Sequence, residues 1–210
     1  MTSSLRVVGL TGGIASGKSA VSRMLRSADI PVLDADNLGH MVLEPDTDTY
    51  HTVIRAFGAD ILNGDGTINR QQLGKKVFDN EVERKKLEAI THPAIADMAK
   101  RGMTLIAARG VSFAVYEAAL LVETGIYKGM DALIVVSCTL ENQLIRLCNR
   151  DLLSKKDAIT RIACQFPLDQ KLAVADYVIE NNGSYTDLET ETQKVIVAIQ
   201  ERFGVAGAQA

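Results

Sequence analysis

Residues 9 to 20 read GLTGGIASGKSA: four glycines, one lysine and almost nothing bulky. Within them Gly12-Gly13-Ile14-Ala15-Ser16-Gly17-Lys18-Ser19 fits G-x-x-x-x-G-K-[ST], the pattern of a phosphate-binding loop. The flanks suit the motif. Leu5-Arg6-Val7-Val8-Gly9-Leu10 is short, β-branched and apolar, which predicts a buried strand. After Lys18, the residues Val21, Met24, Leu25 and Ala28 recur at helical spacing and predict one apolar helix face. Glycines let backbone N–H groups turn inward toward phosphate oxygens, and the helix that follows adds its positive end. In such a loop Lys18 reaches the β- and γ-phosphates, and the Ser19 hydroxyl serves Mg²⁺. The motif points to a nucleoside triphosphate without saying what is done with it.

The rest of the composition bounds the answer. A chain of 210 residues, 47% hydrophobic, suggests one compact domain with room for an inserted lobe. The net charge of −3, from 23 basic and 26 acidic residues, argues against a general nucleic-acid binder. No apolar run approaches the length of about 18 residues that spans a bilayer, and Met1 to Arg6 lacks the pattern of a secretion signal. Cys138, Cys148 and Cys164 are odd in number and far apart, so they read as reduced thiols in a cytoplasmic protein rather than a disulfide framework or zinc site.

Further strands place more chemistry near the loop. The run IPVLDAD (30–36) reads as a second strand of a parallel sheet, ending in Asp34 and Asp36. Ligands of such sheets bind beyond the carboxyl ends of the strands. In extended chain the two aspartates share a side. One of them could take a proton from an attacking hydroxyl or hold a metal through water; equally, they could cap a helix or solvate a loop. VSFAVYEA (111–118) and DALIVVSC (131–138) are also β-rich, and Glu117 is the acidic group available where no ordinary strand-end aspartate is seen. Residues 146–171 hold six basic groups (Arg146, Arg150, Lys155, Lys156, Arg161, Lys171) against three acids, which fits an arginine-bearing lid or a solvated helical face.

Taken as an ordered set, these stretches resemble the dephospho-coenzyme A kinase family over nearly the whole chain, Val7 to Phe203. The similarity rests on GLTGGIASGKSAV, VLDAD, FGADILNGDGTINRQQLGKKVF, LEAITHPAI, EAALLVETG, NRD and RIACQFPLDQKLAVADYVIENNG. It implies an α/β fold: a three-layer α/β/α phosphate-loop core with a five-stranded parallel sheet, a helical acceptor lobe and a helical lid. The implied core covers about 1–40, 106–140 and 174–210, the lobe about 41–105 and the lid about 141–173. The implied reaction moves phosphate from ATP, with Mg²⁺, to the ribose 3′-hydroxyl of dephospho-coenzyme A, the last step of coenzyme A synthesis.

By matched position the resemblance makes Asp36 the general base, with Lys18 and Arg150 acting on the phosphates. It gives the nucleotide Gly13, Ile14, Ala15, Ser16, Gly17, Lys18, Ser19 and Ala20, with Arg150, Arg161 and Asn181, the last beside adenine. It puts Asp36, His92, Pro93, Glu117 and Leu120 on the acceptor side, and implies a monomer or weak homo-oligomer. Four positions depart from the family: Ala15 for glycine, Ala20 for threonine, His40 for arginine and Ala119 for proline. A methyl group at 15 is comfortable only at negative φ. The near rival is a nucleoside monophosphate kinase, which shares the loop and an arginine lid. A GTPase-like switch would need an N-K-x-D motif, which the chain lacks. The segment 60–105 reads as helical with Val82, Leu87 and Ile90 on one face, interrupted at Pro93. Asn63-Gly64-Asp65-Gly66-Thr67 reads as a turn, about 184–203 as a helix packed on the sheet, and the last residues as frayed.

Overall fold

The structure, a computed structural model, describes residues 5–78 and 80–204, so the expectation for the final residues lies outside the described part. The strands are β1 (Arg6–Gly12), β2 (Val32–Asp34), β3 (Phe113–Glu117), β4 (Ala132–Ser137) and β5 (Tyr177–Glu180). The helices are α1 (Lys18–Ser27), α2 (Ala35–Met41), α3 (Asp48–Phe57), α4 (Arg70–Phe78), α5 (Glu81–Ala107), α6 (Leu140–Asp151), α7 (Lys155–Ala163), α8 (Leu168–Leu172) and α9 (Tyr185–Phe203). They form two compact units, one of residues up to Asp34 and from Leu105 onward, the other Ala35–Thr104.

The first unit is built on a five-stranded parallel sheet in the order β2-β3-β1-β4-β5. Its strands are apolar on both faces because helices or loops cover both sides. On β4, Ile134 and Val136 face a core with Val21 and Leu25 of α1 and Leu188, Val195, Ile196 and Ile199 of α9. The alternate residues Leu133 and Val135 face a second cluster with Leu121 and Val122, against which Leu168 and Val174 pack. The expected α1 face is present, with Met24 and Ala28 packed at its margin. The expected last helix is α9, closed at its start by a capping box between Ser184 and Asp187.

Parallel pairing brings the working ends of the strands to one edge. Leu10 and Asp34 both lie opposite Glu117, and Gly12 lies opposite Val136. The chain fills β2 and β3 on one side of β1, then β4 and β5 on the other. The glycine loop therefore leaves β1 at the point where the strand order reverses, the usual place for a ligand crevice.

The second unit has its own core of Tyr50, Val53, Phe57, Ile61, Ile68 and Leu73, with Leu87 and Ile90 packed against it. The expected turn at 63–67 is present, with Asp65 Oδ1 accepting from the Thr67 N–H at 3.0 Å. Two expectations are corrected here. Val82 is 73% exposed and does not belong to the packed face of α5. Nor does Pro93 interrupt that helix, which continues to Ala107. Proline loses its own N–H bond and crowds the carbonyl of the preceding turn, and packed residues on both sides of it, Leu87 and Ile90 before and Ala99 after, keep the helix going.

Candidate functional site

The loop is shaped first by its own backbone. The Ser16 N–H donates to Gly13 O at 3.0 Å, and Ala20 N–H donates to Gly17 O at 2.8 Å as α1 begins. Gly17, at the N-cap, has φ +100°. A Cβ there would also run into the Asn181 side-chain amide, so only glycine fits. The first turn of α1 carries no acidic side chain, so its positive end is left for an anion.

Ala15 is the exception to the expected comfort of the loop. Its φ is +59°, the left-handed region, and not the negative value that a methyl group prefers. Such a conformation costs an L-residue about 1–2 kcal/mol, and it persists only where neighbouring bonds fix it. Those bonds are present. Ile14 N–H donates to Gln165 Oε1 at 2.7 Å, and Gln143 Nε2 donates to Ile14 O at 3.0 Å. Asn181 Nδ2 donates to Ser16 O at 2.7 Å.

Lys18 Nζ lies 2.9 Å from Glu117 Oε1. The other carboxylate oxygen accepts from Ser22 Oγ at 2.5 Å and lies 3.7 Å from Arg26 Nη2. Glu117 is only 2% exposed, so its charge is affordable because two cations and a hydroxyl surround it. Ser22 and Arg26 were missed in the sequence, although Lys18, Ser22 and Arg26 follow one another at intervals of four on α1 and so share a face. The Ser19 side chain is exposed. Its hydroxyl and the Glu117 carboxylate are hard oxygen donors of the kind that suits Mg²⁺. Among the described residues there is no cluster of three or more acidic, histidine or cysteine groups, so no all-protein metal cage exists there.

Asn181 is bonded within the protein. It is 7% exposed. Its amide nitrogen is on Ser16 O, and Arg146 Nη2 donates to its backbone oxygen at 3.0 Å and its side-chain oxygen at 3.3 Å. It braces the loop from behind.

The two expected lid arginines meet on one carboxylate. Arg150 is bidentate to Asp151, at 2.7 and 3.1 Å, and Arg161 Nη1 lies 3.0 Å from the same group. The hydrogen-bonded Arg150 guanidinium holds the Asp151 carboxyl below the usual aspartate range, with Arg161 adding to it, and Asp151 in turn raises Arg150. The cationic count over 146–171 shrinks on inspection. Lys171 is fully buried, 2.6 Å from Glu123 Oε1 and 3.2 Å from Ala119 O, so it is a packed ion pair and no lid cation.

Of the other expected residues, Leu120 is 46% exposed just after β3. Asp36, His92 and Pro93 belong to the second unit, all exposed. The shared side of Asp34 and Asp36 is corrected: β2 ends at Asp34, and Asp36 already lies in the first turn of α2, so period-two alternation does not apply. The His92-Pro93 pair sits mid-way along α5. Cys138, Cys148 and Cys164 are free thiols, and burial raises that of Cys138. A groove of about 1050 Å³ between α1 and α9 shares no lining residue with the phosphate loop.

Comparison with known proteins now adds to the geometry. Residues 6–187 match the family described as "Dephospho-CoA kinase". The chain is 45% identical to the dephospho-CoA kinase of Syntrophotalea carbinolica, over 94% of this chain and 92% of that one. It is 43% identical to that of Geobacter sulfurreducens, over 91% and 97%. The solved dephospho-CoA kinase from Campylobacter jejuni superposes with a TM-score of 0.70 at 30% identity, covering 93% of this chain and 98% of the other.

Proposed function

The chain belongs to the dephospho-CoA kinase family, and we propose that it transfers the γ-phosphoryl group of ATP to the ribose 3′-hydroxyl of dephospho-coenzyme A. The observation that carries the acceptor is the family match over residues 6–187; the use of ATP is supported by the assembled phosphate loop, with Gly17 at positive φ, an acid-free helix start, and Lys18 anchored on buried Glu117. Phosphoryl transfer needs positioning and charge neutralisation more than covalent chemistry from the protein, and this loop supplies both.

In this reading the triphosphate is cradled by the loop N–H groups between Gly13 and Ala20 other than those of Ile14, Ser16 and Ala20, which are bonded within the protein. Lys18 exchanges its contact with Glu117 for the β- and γ-phosphates, a swap of one anion for another that leaves Glu117 to Ser22 and Arg26. Arg150 and Arg161 neutralise charge growing on the transferring group; their forks stay charged at any working pH. Mg²⁺ would be held by Ser19, with Glu117 reaching it through water, and when bound it would offset phosphate charge. Asp36 takes the proton of the 3′-hydroxyl as the attack proceeds in line. His92, Pro93 and Leu120 belong to acceptor binding. The setting we propose is the cytoplasm, with the chain acting as a monomer or weak homo-oligomer.

The test is ADP release from ATP with dephospho-coenzyme A, AMP or CMP as acceptor. Release that depends on dephospho-coenzyme A supports the reading. Turnover with AMP or CMP in its place would make the chain a nucleoside monophosphate kinase and remove the proposal.

A further inference from the structure

We propose that Gln143 and Gln165 are positioning residues that hold the phosphate loop in its binding shape by fixing the strained Ala15 from the Ile14 side. The inference rests on the reading of this loop as the ATP site. The two glutamines grip opposite ends of neighbouring peptide groups at one residue: Gln165 accepts from Ile14 N–H at 2.7 Å, and Gln143 donates to Ile14 O at 3.0 Å. Asn181 fixes the other flank through Ser16 O at 2.7 Å. Between them lies Ala15 at φ +59°, a conformation that an L-residue leaves when nothing holds it.

The anchoring has a second consequence. Gln143 lies in the first turn of α6, and Gln165 follows the end of α7, so both roots of the hairpin that carries Arg150 and Arg161 are tied to Ile14. A Cβ at Gly13 would meet the Gln143 amide nitrogen, so glycine there leaves the clamp undisturbed. Loop shape and hairpin placement are thereby linked. Gln143 and Gln165 act through the loop and are not themselves groups that touch the phosphoryl group.

Without its clamp, the loop relaxes at Ala15, and ATP must restore the left-handed conformation on binding. With glycine at 15, that conformation carries no penalty, so the clamp matters less. The experiment measures the Kd of a fluorescent ATP analogue, together with kcat and both KM values, for wild type, Gln165→Met, Ala15→Gly and the double variant, with Lys18→Met as control. Gln165→Met is expected to weaken nucleotide binding about tenfold, in line with the loss of a backbone hydrogen bond, and to leave KM for dephospho-coenzyme A unchanged. In the Ala15→Gly background the same substitution should cost less than about threefold. A purely structural role would lower stability equally in both backgrounds and show no such rescue.

Gln143→Met carries the same expectation if Gln165→Met does not fold. Equal losses in both backgrounds, or binding within twofold of wild type for the clamp variants, overturn the clamp. A wild type that binds no ATP, or binds it equally well after Lys18→Met, overturns the loop reading itself and the clamp with it.

Discussion

Replacing Ala15 with glycine tests the loop through the sign of a stability change. At φ +59° the alanine methyl group crowds the backbone, at a cost of about 1–2 kcal/mol that glycine does not bear. Against this, glycine gives the unfolded chain more freedom, worth about 0.4–1 kcal/mol. The difference predicts that Ala15→Gly stabilises the protein by roughly 0.5–1 kcal/mol. For a chain of this size such a gain raises Tm by about 1–4 °C. Calorimetry and urea titration would measure it, with ATP binding unimpaired. If Ala15 instead lay in ordinary helical or extended backbone, the same change would destabilise by about 0.5–1 kcal/mol. A fall in Tm would refute the conformation, and with it the account of why the loop needs bracing.

Four other outcomes follow from the same geometry. Lys18→Met should lower kcat by 10²-fold or more, as loss of a preorganised charge does, and should also destabilise the fold by leaving Glu117 short of a partner; steady-state kinetics and Tm read the two effects. Asp36→Asn should bind ATP normally and lose most turnover, and an unchanged rate would remove Asp36 as base. Lys171→Met should cost about 3 kcal/mol, the lower end for a buried pair, by stranding the part-buried Glu123, with most of that recovered in the Lys171→Met/Glu123→Leu double variant; a denaturant series decides it. Asp151 has a folded pKa below its ordinary 3.8, so its contribution to stability is full above that value and lost as pH falls through the lower folded one. The stability gap between wild type and Asp151→Asn should therefore be open at pH 7 and close below about pH 4, as followed by thermal melts.

How much of this was legible beforehand depends on the distance over which each feature is set. The loop, α1 and the strands on either side are local patterns of glycine spacing and apolar period, and they lie where the sequence puts them. β2 was read two residues too far at its carboxyl end because Asp34-Ala35-Asp36 alternates like a strand, while the chain turns helical at Ala35. Pro93 was read as a break because propensity is local, whereas the packing that carries α5 past it is not. Lys171 looked like a surface cation until its partner Glu123, 48 residues earlier, was in place. Gln143 and Gln165 gave no signal at all, since an amide gripping a backbone group 129 or 151 residues away leaves no pattern in spacing. The Ser22 and Arg26 contacts to Glu117 were the missed signal that could have been found, from their four-residue spacing after Lys18.

The central claim is the transfer of phosphate to one hydroxyl of one acceptor. The most direct measurement incubates the protein with ATP, Mg²⁺ and dephospho-coenzyme A, then takes the mass and ³¹P spectrum of the product. The account predicts a gain of one phosphoryl group, a new phosphomonoester on the ribose 3′-oxygen, and one ADP per product formed. ADP without a phosphorylated acceptor, or phosphate found at any other position, would contradict it.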